Sequence, residues 1–327
     1  MATAHTAFWQ SATVVENTAL TSAIRRIVVA PSRPVPADPG SHVDVLVTIG
    51  AEAVVRSYSI VDSASDGSLL AISVFASETS RGGATAMHAL AAGDRIELTQ
   101  PLQDFPLRIG APSYLLLAGG IGITAIAGMA RTLAARAVPY RLVYCGRRRD
   151  QMAYLDQLTT EHGARLDVHI GDEGTSVDVP ELVSTVQPGT ELYMCGPIRL
   201  MDAVRRAWTE RELPASDLRF ETFGNSGWHQ PEPFRVRIPA LGIETSVSAS
   251  STLLEALEDV GVDALNDCRR GECGLCEARV LGLHGVIDHR DVFYSERQRD
   301  AGSRICVCVS RVRGDGRSIP SITLELS

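Results

Sequence analysis

The chain has 327 residues and a mass of 35.1 kDa, which is enough for two or three domains of ordinary size. Hydrophobic residues make up 45% and charged residues 21%, as in a folded globular protein, and the net charge of -8 leaves no basic stripe for nucleic acid. The sequence contains no lysine, so its 31 basic residues are all arginines. This excludes a Walker A phosphate loop and every enzyme that needs a lysine Schiff base.

No segment has the pattern of a targeting signal or a membrane span. No arginine precedes Arg25, and the longest apolar stretch, residues 115–130, is interrupted by four glycines and is shorter than a span. We therefore expect a cytoplasmic protein with no membrane partner. In that compartment the seven cysteines are expected to serve metal or redox chemistry and not disulfides.

Residues 8–107 consist of short β-type runs separated by turns such as PADPG. The clearest runs are residues 27–30, 43–49, 69–75 and 95–98. This spacing predicts a small antiparallel barrel or sandwich.

From residue 111 the pattern changes to strands that alternate with helices. The predicted strands are SYLLLAG, RLVYCG, RLDVHI and ELYMCG, and the predicted helices cover residues 123–137, 151–162 and 198–211. Alternation at this spacing predicts a parallel sheet with helices on both faces.

The last third follows a polar stretch at residues 224–233, GNSGWHQPEP, which has the composition of a linker. Two strands (234–238 and 244–247) and a helix within SSTLLEALEDVG, with Ser251 as its N-cap, are predicted next. Most of the cysteines lie beyond this helix, so we predict a third domain.

Three cysteines lie close together in the string CRRGECGLC: Cys268, Cys273 and Cys276. The C-x4-C-x2-C spacing with a distant fourth cysteine is typical of a plant-type [2Fe-2S] site. Gly271 and Gly274 would let the loop wrap the cluster and direct N–H groups at the sulfurs. The alternative, a zinc site, favours paired C-x2-C units.

The fourth ligand is either Cys306 or Cys308, in the string ICVCVSR. On one strand, residues two apart point to the same side, so the spacing alone leaves the choice open.

A glycine turn follows the strand SYLLLAG directly. Gly119, Gly120 and Gly122 open a helix there, a position where helix N-termini bind phosphate. The acidic residue expected about 20 positions later in a dinucleotide site is absent. The arginines of the string GRRRD at residues 146–150 either bind a 2′-phosphate or are simply solvated. The residues therefore do not decide between NADH and NADPH. Tight packing is the alternative interpretation of the glycines.

A second turn, Cys195-Gly196-Pro197, ends another strand of the predicted parallel sheet. Ligands collect at the carboxyl ends of such strands, so this turn should face the glycine turn across one crevice. The Cys195 thiol would then line a hydride-transfer site, or it is a small core residue.

Six strings together resemble the phthalate dioxygenase reductase and vanillate O-demethylase reductase family, in the ferredoxin-reductase superfamily. They are RSYSI, SRGGATAMH, GGIGIT, YMCGP, ETFG, and the final CRRGECGLC with CVSR, and they extend over nearly the whole chain. The resemblance implies an FMN-binding antiparallel β-barrel, an NAD-binding α/β domain with a parallel sheet, and an α+β ferredoxin-like (β-grasp) domain. The expected boundaries are 1–108, 109–225 and 234–327, with a linker at 226–233.

The resemblance also implies a set of site residues. Ser59, Cys195 and Phe223 would lie at the hydride-transfer site, with Ser59 near flavin N5. The other residues implied at the FMN are Arg56, Ser57, Tyr58, Arg81, Gly82, Gly83, Ala84 and Thr85. NADH would contact Gly119, Gly120, Gly122, Thr124, Cys195, Gly196 and Pro197. Cys308, in the C-x-S-R string with Ser310 and Arg311, would be the fourth cluster ligand after Cys268, Cys273 and Cys276, with a longer loop at residues 282–287 explaining its offset.

The function implied by the resemblance is electron transfer from NADH through FMN and a [2Fe-2S] cluster to an oxygenase component protein. The expected partner is a Rieske-type aromatic dioxygenase or O-demethylase. One alternative partner is a cytochrome P450, and another interpretation is a non-catalytic redox sensor or carrier. A dihydroorotate dehydrogenase subunit would carry its last cysteine much sooner. The string HRD at residues 289–291 resembles a kinase motif, but we interpret it as a structural turn with a capping aspartate.

Overall fold

A computed structural model describes residues 7–50, 52–77, 82–223, 229–314 and 316–326. The chain divides into two compact units. One comprises Met1–Gly196 with Ala203–Glu221, and the other comprises Pro197–Asp202 with Thr222–Ser327.

The first unit begins with a six-stranded barrel. Its strands are β1 (Trp9–Ala19), β2 (Ile24–Pro31), β3 (His42–Ile49), β4 (Glu52–Ser63), β5 (Leu70–Phe75) and β6 (Arg95–Thr99). They are antiparallel and close in the order β1-β2-β5-β4-β3-β6. Alternate residues of β3, Val43, Val45 and Val47, are buried in the barrel core, as expected for strands with one face inward. A short helix, α1 (Gly83–Ala89), precedes β6.

A five-stranded parallel sheet completes the first unit. Its strands are β7 (Ser113–Gly119), β8 (Tyr140–Gly146), β9 (Leu166–Ile170), β10 (Thr190–Cys195) and β11 (Leu218–Glu221), and its helices are α2 (Ile123–Ala135), α3 (Leu155–His162) and α4 (Val179–Ser184). A further helix, α5 (Ile198–Glu210), belongs to this unit from Ala203 onward. The strand order is β11-β10-β7-β8-β9, so the direction of winding reverses between β7 and β10. This reversal places the ends of β7 and β10 where open α/β sheets bind ligands.

Some boundaries in this sheet differ from the sequence prediction. The helix predicted over residues 151–162 begins only at Leu155, because a 3-10 turn, Arg149–Gln151, comes first. The sequence patterns did not predict α4 or β11, which have six and four residues and are too short for a clear periodicity.

The second unit contains a mixed sheet with two short helices. Its elements are β12 (Phe234–Ile238), β13 (Ile243–Val247), α6 (Leu253–Glu258), β14 (Glu277–His284), β15 (Val286–Asp288), α7 (Glu296–Asp300), β16 (Arg304–Cys306), β17 (Arg311–Arg313) and β18 (Ser321–Leu326). The main sheet has the order β13-β12-β18-β14-β16, and β15 pairs with β17. The first residue of its core, Phe234, is fully buried.

The N-cap prediction for α6 is wrong by one residue. Thr252, not Ser251, caps the helix: its side chain accepts a hydrogen bond from Glu255 N, and the Glu255 carboxylate accepts one from Thr252 N. Such a capping box requires an acidic or amide residue three positions after the cap, which Ser251 lacks because Leu254 stands there.

The predicted fold class, an antiparallel barrel, a parallel α/β sheet and a ferredoxin-like α+β fold, is confirmed. The domain boundaries remain a prediction. In the described part of the chain, no helix has the length and apolar character needed to cross a membrane.

Candidate functional site

The loop that carries the first three cysteines directs main-chain N–H groups at one sulfur. Cys268 Sγ accepts hydrogen bonds from the N–H groups of Arg270, Glu272 and Cys273, each at 3.4 Å. The donors are neighbours of the two glycines and not the glycines themselves. Such N–H groups stabilise a thiolate, which is the form that binds iron.

The two glycines of this loop are required by conformation and by space. Gly271 has φ +77° and Gly274 has φ +76°, in the left-handed region. A Cβ at Gly271 would lie 2.6 Å from Val309 Cγ2 and 2.8 Å from Asp291 Cα, and one at Gly274 would lie 2.3 Å from the Phe293 ring. No other residue fits at these points without moving its neighbours.

The two later cysteines do not share a strand, contrary to the simplest extended geometry. Strand β16 ends at Cys306, and the chain then turns, so Cys308 lies in the turn. Val307 N, between the two, donates to Cys276 O at 3.1 Å. Cys308 affects the pKa values of both Cys268 and Cys276, whereas the pKa of Cys306 depends on Cys276 and Tyr294. This favours Cys308 as the fourth ligand, which remains a prediction.

The thiols are polarised in a way that suits metal binding. The hydrogen bond from Cys308, followed by the main-chain N–H groups, lowers the pKa of Cys268 to about 4. Hydrogen bonds from Cys306 and Cys308 lower the pKa of Cys276 to about 3. The pKa values of the two donors, Cys306 and Cys308, are correspondingly raised.

This donor set fits a [2Fe-2S] cluster, which four cysteine thiolates bind. Within the described residues, no three metal-ligating side chains converge on a single-ion site.

A half-buried carboxylate ties the cluster loop to residue 222. The Glu272 carboxylate accepts a 2.7 Å hydrogen bond from Thr222 N, and the Thr222 hydroxyl donates to Arg270 O at 2.8 Å. Burial raises the pKa of Glu272, while the charge of Arg270 opposes the shift. The loop is thus held from outside by two hydrogen bonds in addition to its own.

On the barrel, Ser59 lies beside a carboxylate that the sequence analysis did not single out. The buried Ser59 hydroxyl donates to Glu221 Oε2 at 3.4 Å. Glu221 ends β11 and is in register with Cys195 at the end of β10. Ser59, Glu221 and Cys195 therefore belong to one neighbourhood at the carboxyl edge of the sheet. The only sequence signal that could have pointed to Glu221 was the acidic residue of the string ETFG.

The other predicted FMN residues of β4 divide between its two faces. Arg56 and Tyr58 pair with the buried Val45 and Val43 of β3, whereas Ser57 and Ser59 pair with Asp44 and His42. The Ser57 hydroxyl donates to Asp44 at 2.5 Å. Burial raises the pKa of Tyr58 to about 12, although the nearby Arg56 charge opposes this. The phenol therefore stays neutral.

Arg56 approaches the start of α1, where the resemblance places the FMN phosphate. A Cβ at Gly83 would lie 3.7 Å from Arg56 Nε, and Gly82, with φ +90°, forms the tight entry to the helix. A guanidinium beside the N–H groups of a helix start suits a terminal phosphate. Ala84 and Thr85 follow in the same turn, and Arg81 lies outside the described residues.

The two predicted nucleotide turns touch each other. A Cβ at Gly122 would lie 2.2 Å from Cys195 O and 2.9 Å from Gly196 N. Gly120 has φ +56°, and Thr124 is buried with its hydroxyl donating to Ile121 O. The close contact at Gly122 requires a glycine, so tight packing accounts for that residue whether or not a nucleotide binds.

Each arginine that follows β8 has a carboxylate partner. Arg149 makes a two-point contact with Glu173 at 2.9 and 2.7 Å. Arg148 makes one with Asp150 at 2.9 and 2.8 Å. Arg147 Nε lies 3.8 Å from Asp172 Oδ1. Three acids balance the three arginines, so this turn carries no net charge.

Phe223, the remaining predicted site residue, is half-buried in the second unit, where Pro197 also belongs. Ser59, Cys195 and the glycine turn belong to the first unit. Sequence reasoning did not place Glu221 or Glu272 in the site.

Comparison with known proteins agrees with these observations. Residues 238–313 match the family model described as the 2Fe-2S iron-sulfur cluster binding domain. The carnitine monooxygenase reductase subunit of Escherichia coli strain K12 is 33% identical over 303 residues, covering 90% of this chain and 93% of that protein. The solved structure of phthalate dioxygenase reductase, described as modular for electron transfer from pyridine nucleotides to [2Fe-2S], is 30% identical with a TM-score of 0.74, covering 97% of this chain and 98% of that chain.

The chain belongs to this family of oxygenase reductase components. The predicted family, the fold class and the assignment as a flavin- and iron-sulfur-dependent oxidoreductase are therefore confirmed. The predicted cofactors, FMN, a [2Fe-2S] cluster and NADH, are those of the family.

A second solved structure is informative about partners. An intact type IV self-sufficient cytochrome P450 monooxygenase is 34% identical with a TM-score of 0.66. The match covers 97% of this chain and 41% of that longer chain. This reductase architecture therefore also occurs within a P450 chain.

Proposed function

We propose that this protein takes electrons from NADH and delivers them one at a time to a separate Rieske-type oxygenase component. When bound, FMN accepts a hydride and the [2Fe-2S] cluster carries single electrons, which together convert a two-electron donor into one-electron steps. The observation that carries the proposal is the cysteine loop itself, in which three main-chain N–H groups donate to Cys268 Sγ and Cys276 O accepts a 3.1 Å hydrogen bond from Val307 N, next to Cys308.

The chain's own residues bind and orient the cofactors. Arg56 and the main chain at Gly82–Ala84 hold the FMN phosphate, and Ser59, whose hydroxyl donates to Glu221, lies at the flavin ring and offers its oxygen as a hydrogen-bond acceptor. Gly119, Gly120 and Gly122 with Cys195 and Gly196 let the nucleotide approach the sheet edge. Cys268, Cys273, Cys276 and Cys308 bind the irons. Because no proton has to be removed from a substrate, no general base is required.

The preference for NADH is supported by the turn after β8. In doubly wound sheets this strand end lies beside the 2′ position of the adenosine ribose. The arginines there are already paired with Asp150, Asp172 and Glu173. An incoming 2′-phosphate would meet both the arginines and the acids, and its binding would have to displace the acids.

The test of the proposal is the visible spectrum of the holoprotein before and after anaerobic addition of NADH, with NADPH in parallel. We expect NADH to bleach both the flavin bands and the cluster absorption, and NADPH to do so more slowly. A purified Rieske oxygenase should then be reduced only when this protein is present. A protein with cluster absorption but no bound flavin, or with no response to either nucleotide, would support the sensor or carrier interpretation.

The nucleotide preference has its own test. Glu173→Gln frees Arg149, so kcat/KM for NADPH should rise about twofold to fivefold, while the value for NADH stays unchanged. Glu181→Gln, an exposed acid on α4, is the control. If both variants behave alike, the acids beside the arginines do not select the nucleotide.

A cytochrome P450 is the second candidate partner, because the self-sufficient P450 monooxygenase contains this architecture. Parallel reduction assays with a Rieske oxygenase and with a P450 distinguish the two. Faster reduction of the P450 would overturn the Rieske assignment and leave the NADH-to-cluster path intact.

A further inference from the structure

The second unit contains a cluster of buried charges that the proposed electron path does not use. Asp288, His289, Arg290 and Asp291 follow one another in sequence, and each is 8% exposed or less. Asp291 has no exposed surface at all. A carboxylate in such a place is costly unless hydrogen bonds and opposite charges compensate it.

Asp291 has such partners on both oxygens. Oδ1 accepts a 3.0 Å hydrogen bond from the Ser310 hydroxyl and lies 3.2 Å from His289 Nδ1. Oδ2 accepts a 3.0 Å hydrogen bond from Tyr294 N and lies 3.8 Å from Arg299 Nε. Arg299 also donates to the main-chain oxygen of Asp291. Burial alone would raise the pKa of Asp291, but the hydrogen bonds with His289 and Tyr294 and the charge of Arg299 lower it, which favours the ionised carboxylate.

One of these partners connects Asp291 to the segment that carries the fourth cysteine. Ser310 lies two residues after Cys308, and its main-chain N–H donates to Cys306 O at 3.0 Å. The same Ser310 hydroxyl accepts a 3.1 Å hydrogen bond from Arg290 N. Ser310 is therefore fixed by the turn at 290–291 through its side chain and by β16 through its main chain.

The same turn also holds the loop with the other three cysteines. Val292 N donates to Gly271 O at 2.9 Å. Gly271 lies so close to Asp291 Cα and Val309 Cγ2 that a Cβ would come within 2.8 Å of each. The three-cysteine loop, the turn and the fourth-cysteine segment thus meet at one point.

We infer that Asp291 is a positioning residue for the iron-sulfur cluster, which fixes the separation of Cys308 from the loop of Cys268, Cys273 and Cys276. It does so by joining Ser310 to the turn whose main chain binds Gly271. As a buried negative charge it also favours the oxidised cluster, because reduction adds a further electron nearby. The inference rests on cluster binding and not on the proposed partner or nucleotide.

The experiment compares variants of the full-length holoprotein. Asp291→Asn keeps the shape of the side chain, removes the charge and replaces one acceptor oxygen by an amide donor. Ser310→Ala removes the hydroxyl bridge, and Ser310→Thr keeps a hydroxyl. Asp300→Asn, an exposed acid on α7, is the matched control. The measurements are the cluster's midpoint potential and its electron paramagnetic resonance spectrum after reduction, together with iron content and NADH-dependent flavin bleaching.

We expect Asp291→Asn to shift the midpoint potential to a more positive value and to broaden the resonance lines. Ser310→Ala should broaden the lines similarly, and Ser310→Thr should restore them. Flavin bleaching should be unchanged throughout, which separates this result from any failure of the electron path. If Asp291→Asn does not fold, the comparison of Ser310→Ala with Ser310→Thr still tests the inference.

Two results would overturn the inference. One is a wild-type potential and spectrum in a folded, iron-loaded Asp291→Asn or Ser310→Ala protein. The other is an equal shift in Asp300→Asn, which would indicate an effect of overall charge.

Discussion

Two charged tetrapeptides of this chain have similar compositions and opposite surroundings. Residues 147–150, RRRD, follow β8, and their side chains are between 53% and 86% exposed. Residues 288–291, DHRD, begin with the last residue of β15 and are 8% exposed or less. In both, arginines pair with carboxylates, for example Arg149 with Glu173 and Arg290 with Asp288.

Exposed and buried ion pairs differ in how strongly they fix the geometry of their surroundings. Exposed ion pairs contribute at most about 1 kcal/mol and are easily exchanged for a ligand or water. Buried pairs cannot be broken without leaving an uncompensated charge, so every partner must be in place at once. The first tetrapeptide is therefore adjustable and suits nucleotide selection, whereas the second holds a fixed geometry around the cluster.

The largest effect expected in the fixed region comes from the cysteines themselves. Cys308→Ser should lose the cluster, because the remaining thiols no longer complete a set of four. Cys306→Ser should retain it. Iron content and visible absorption of the two purified proteins provide the check, and cluster loss in Cys306→Ser alone would reverse the assignment.

A second buried cation tests whether burial decides the cost of losing a charge. Arg311 is 5% exposed, donates to the main-chain oxygens of Ser248, Ser251 and Glu232, and lies over the Phe234 ring at 5.2 Å. Arg311→Met leaves these oxygens without a donor and should lower the free energy of unfolding by about 3 kcal/mol.

The control for this change is Arg149→Met in the exposed tetrapeptide, which should leave the denaturation midpoint unchanged. Chemical denaturation of both variants provides the measurement. Equal losses of stability in the two would show that exposure does not separate the two regions.

A pair of glycine variants separates the effect of close packing at Gly271 on stability from the effect of its backbone conformation. Gly271→Ala should cost about 3 kcal/mol, since it adds overlap with Val309 and the Asp291 backbone to the strain of a positive φ. Gly242, with φ +67° and no neighbour within 4 Å of a Cβ, provides the comparison, and Gly242→Ala should cost only about 1 kcal/mol. Similar losses would mean that conformation alone matters at Gly271.

The smallest effect concerns pH in the first unit. Burial lowers the pKa of His162, whose Nδ1 lies 2.7 Å from the Tyr140 hydroxyl. The unfolded chain therefore takes up a proton at higher pH than the folded one. Stability should be unaffected well above the ordinary histidine pKa of about 6.5 and should fall as the pH drops through it. Thermal unfolding of wild type and His162→Gln between pH 8 and pH 5 measures this, and an unchanged pH dependence in the variant would contradict it.

The sequence predicted the sheets and the cysteine cluster well because both have strong local signals. Runs such as SYLLLAG are buried at every residue after the first, and three cysteines on one loop have a spacing that few other sites share. The barrel strand with RSYSI was identified only by resemblance, since its alternation is weak.

The partners of charged residues could not be predicted from the sequence. Glu221 meets Ser59, 162 positions away, and Glu272 meets Thr222, 50 positions away. Asp150 and Asp291 have the same side chain and differ in exposure, 59% against 0%, which depends on the packing of distant segments. Short elements such as α4 were missed for a related reason, because tertiary contacts stabilise them more than their own propensity does.

The closure of the barrel has a kinetic consequence. Strand β1 pairs with its neighbour β2 but also with β6, where Trp9 is opposite Thr99. Such non-local pairing slows folding, because the ends of a long segment must meet before the contact stabilises anything. In the parallel sheet, by contrast, the first strand and the first helix are adjacent in sequence, so their contacts can form early in folding. Refolding should therefore restore helical signal first and flavin fluorescence quenching last, once the final pair of barrel strands has joined.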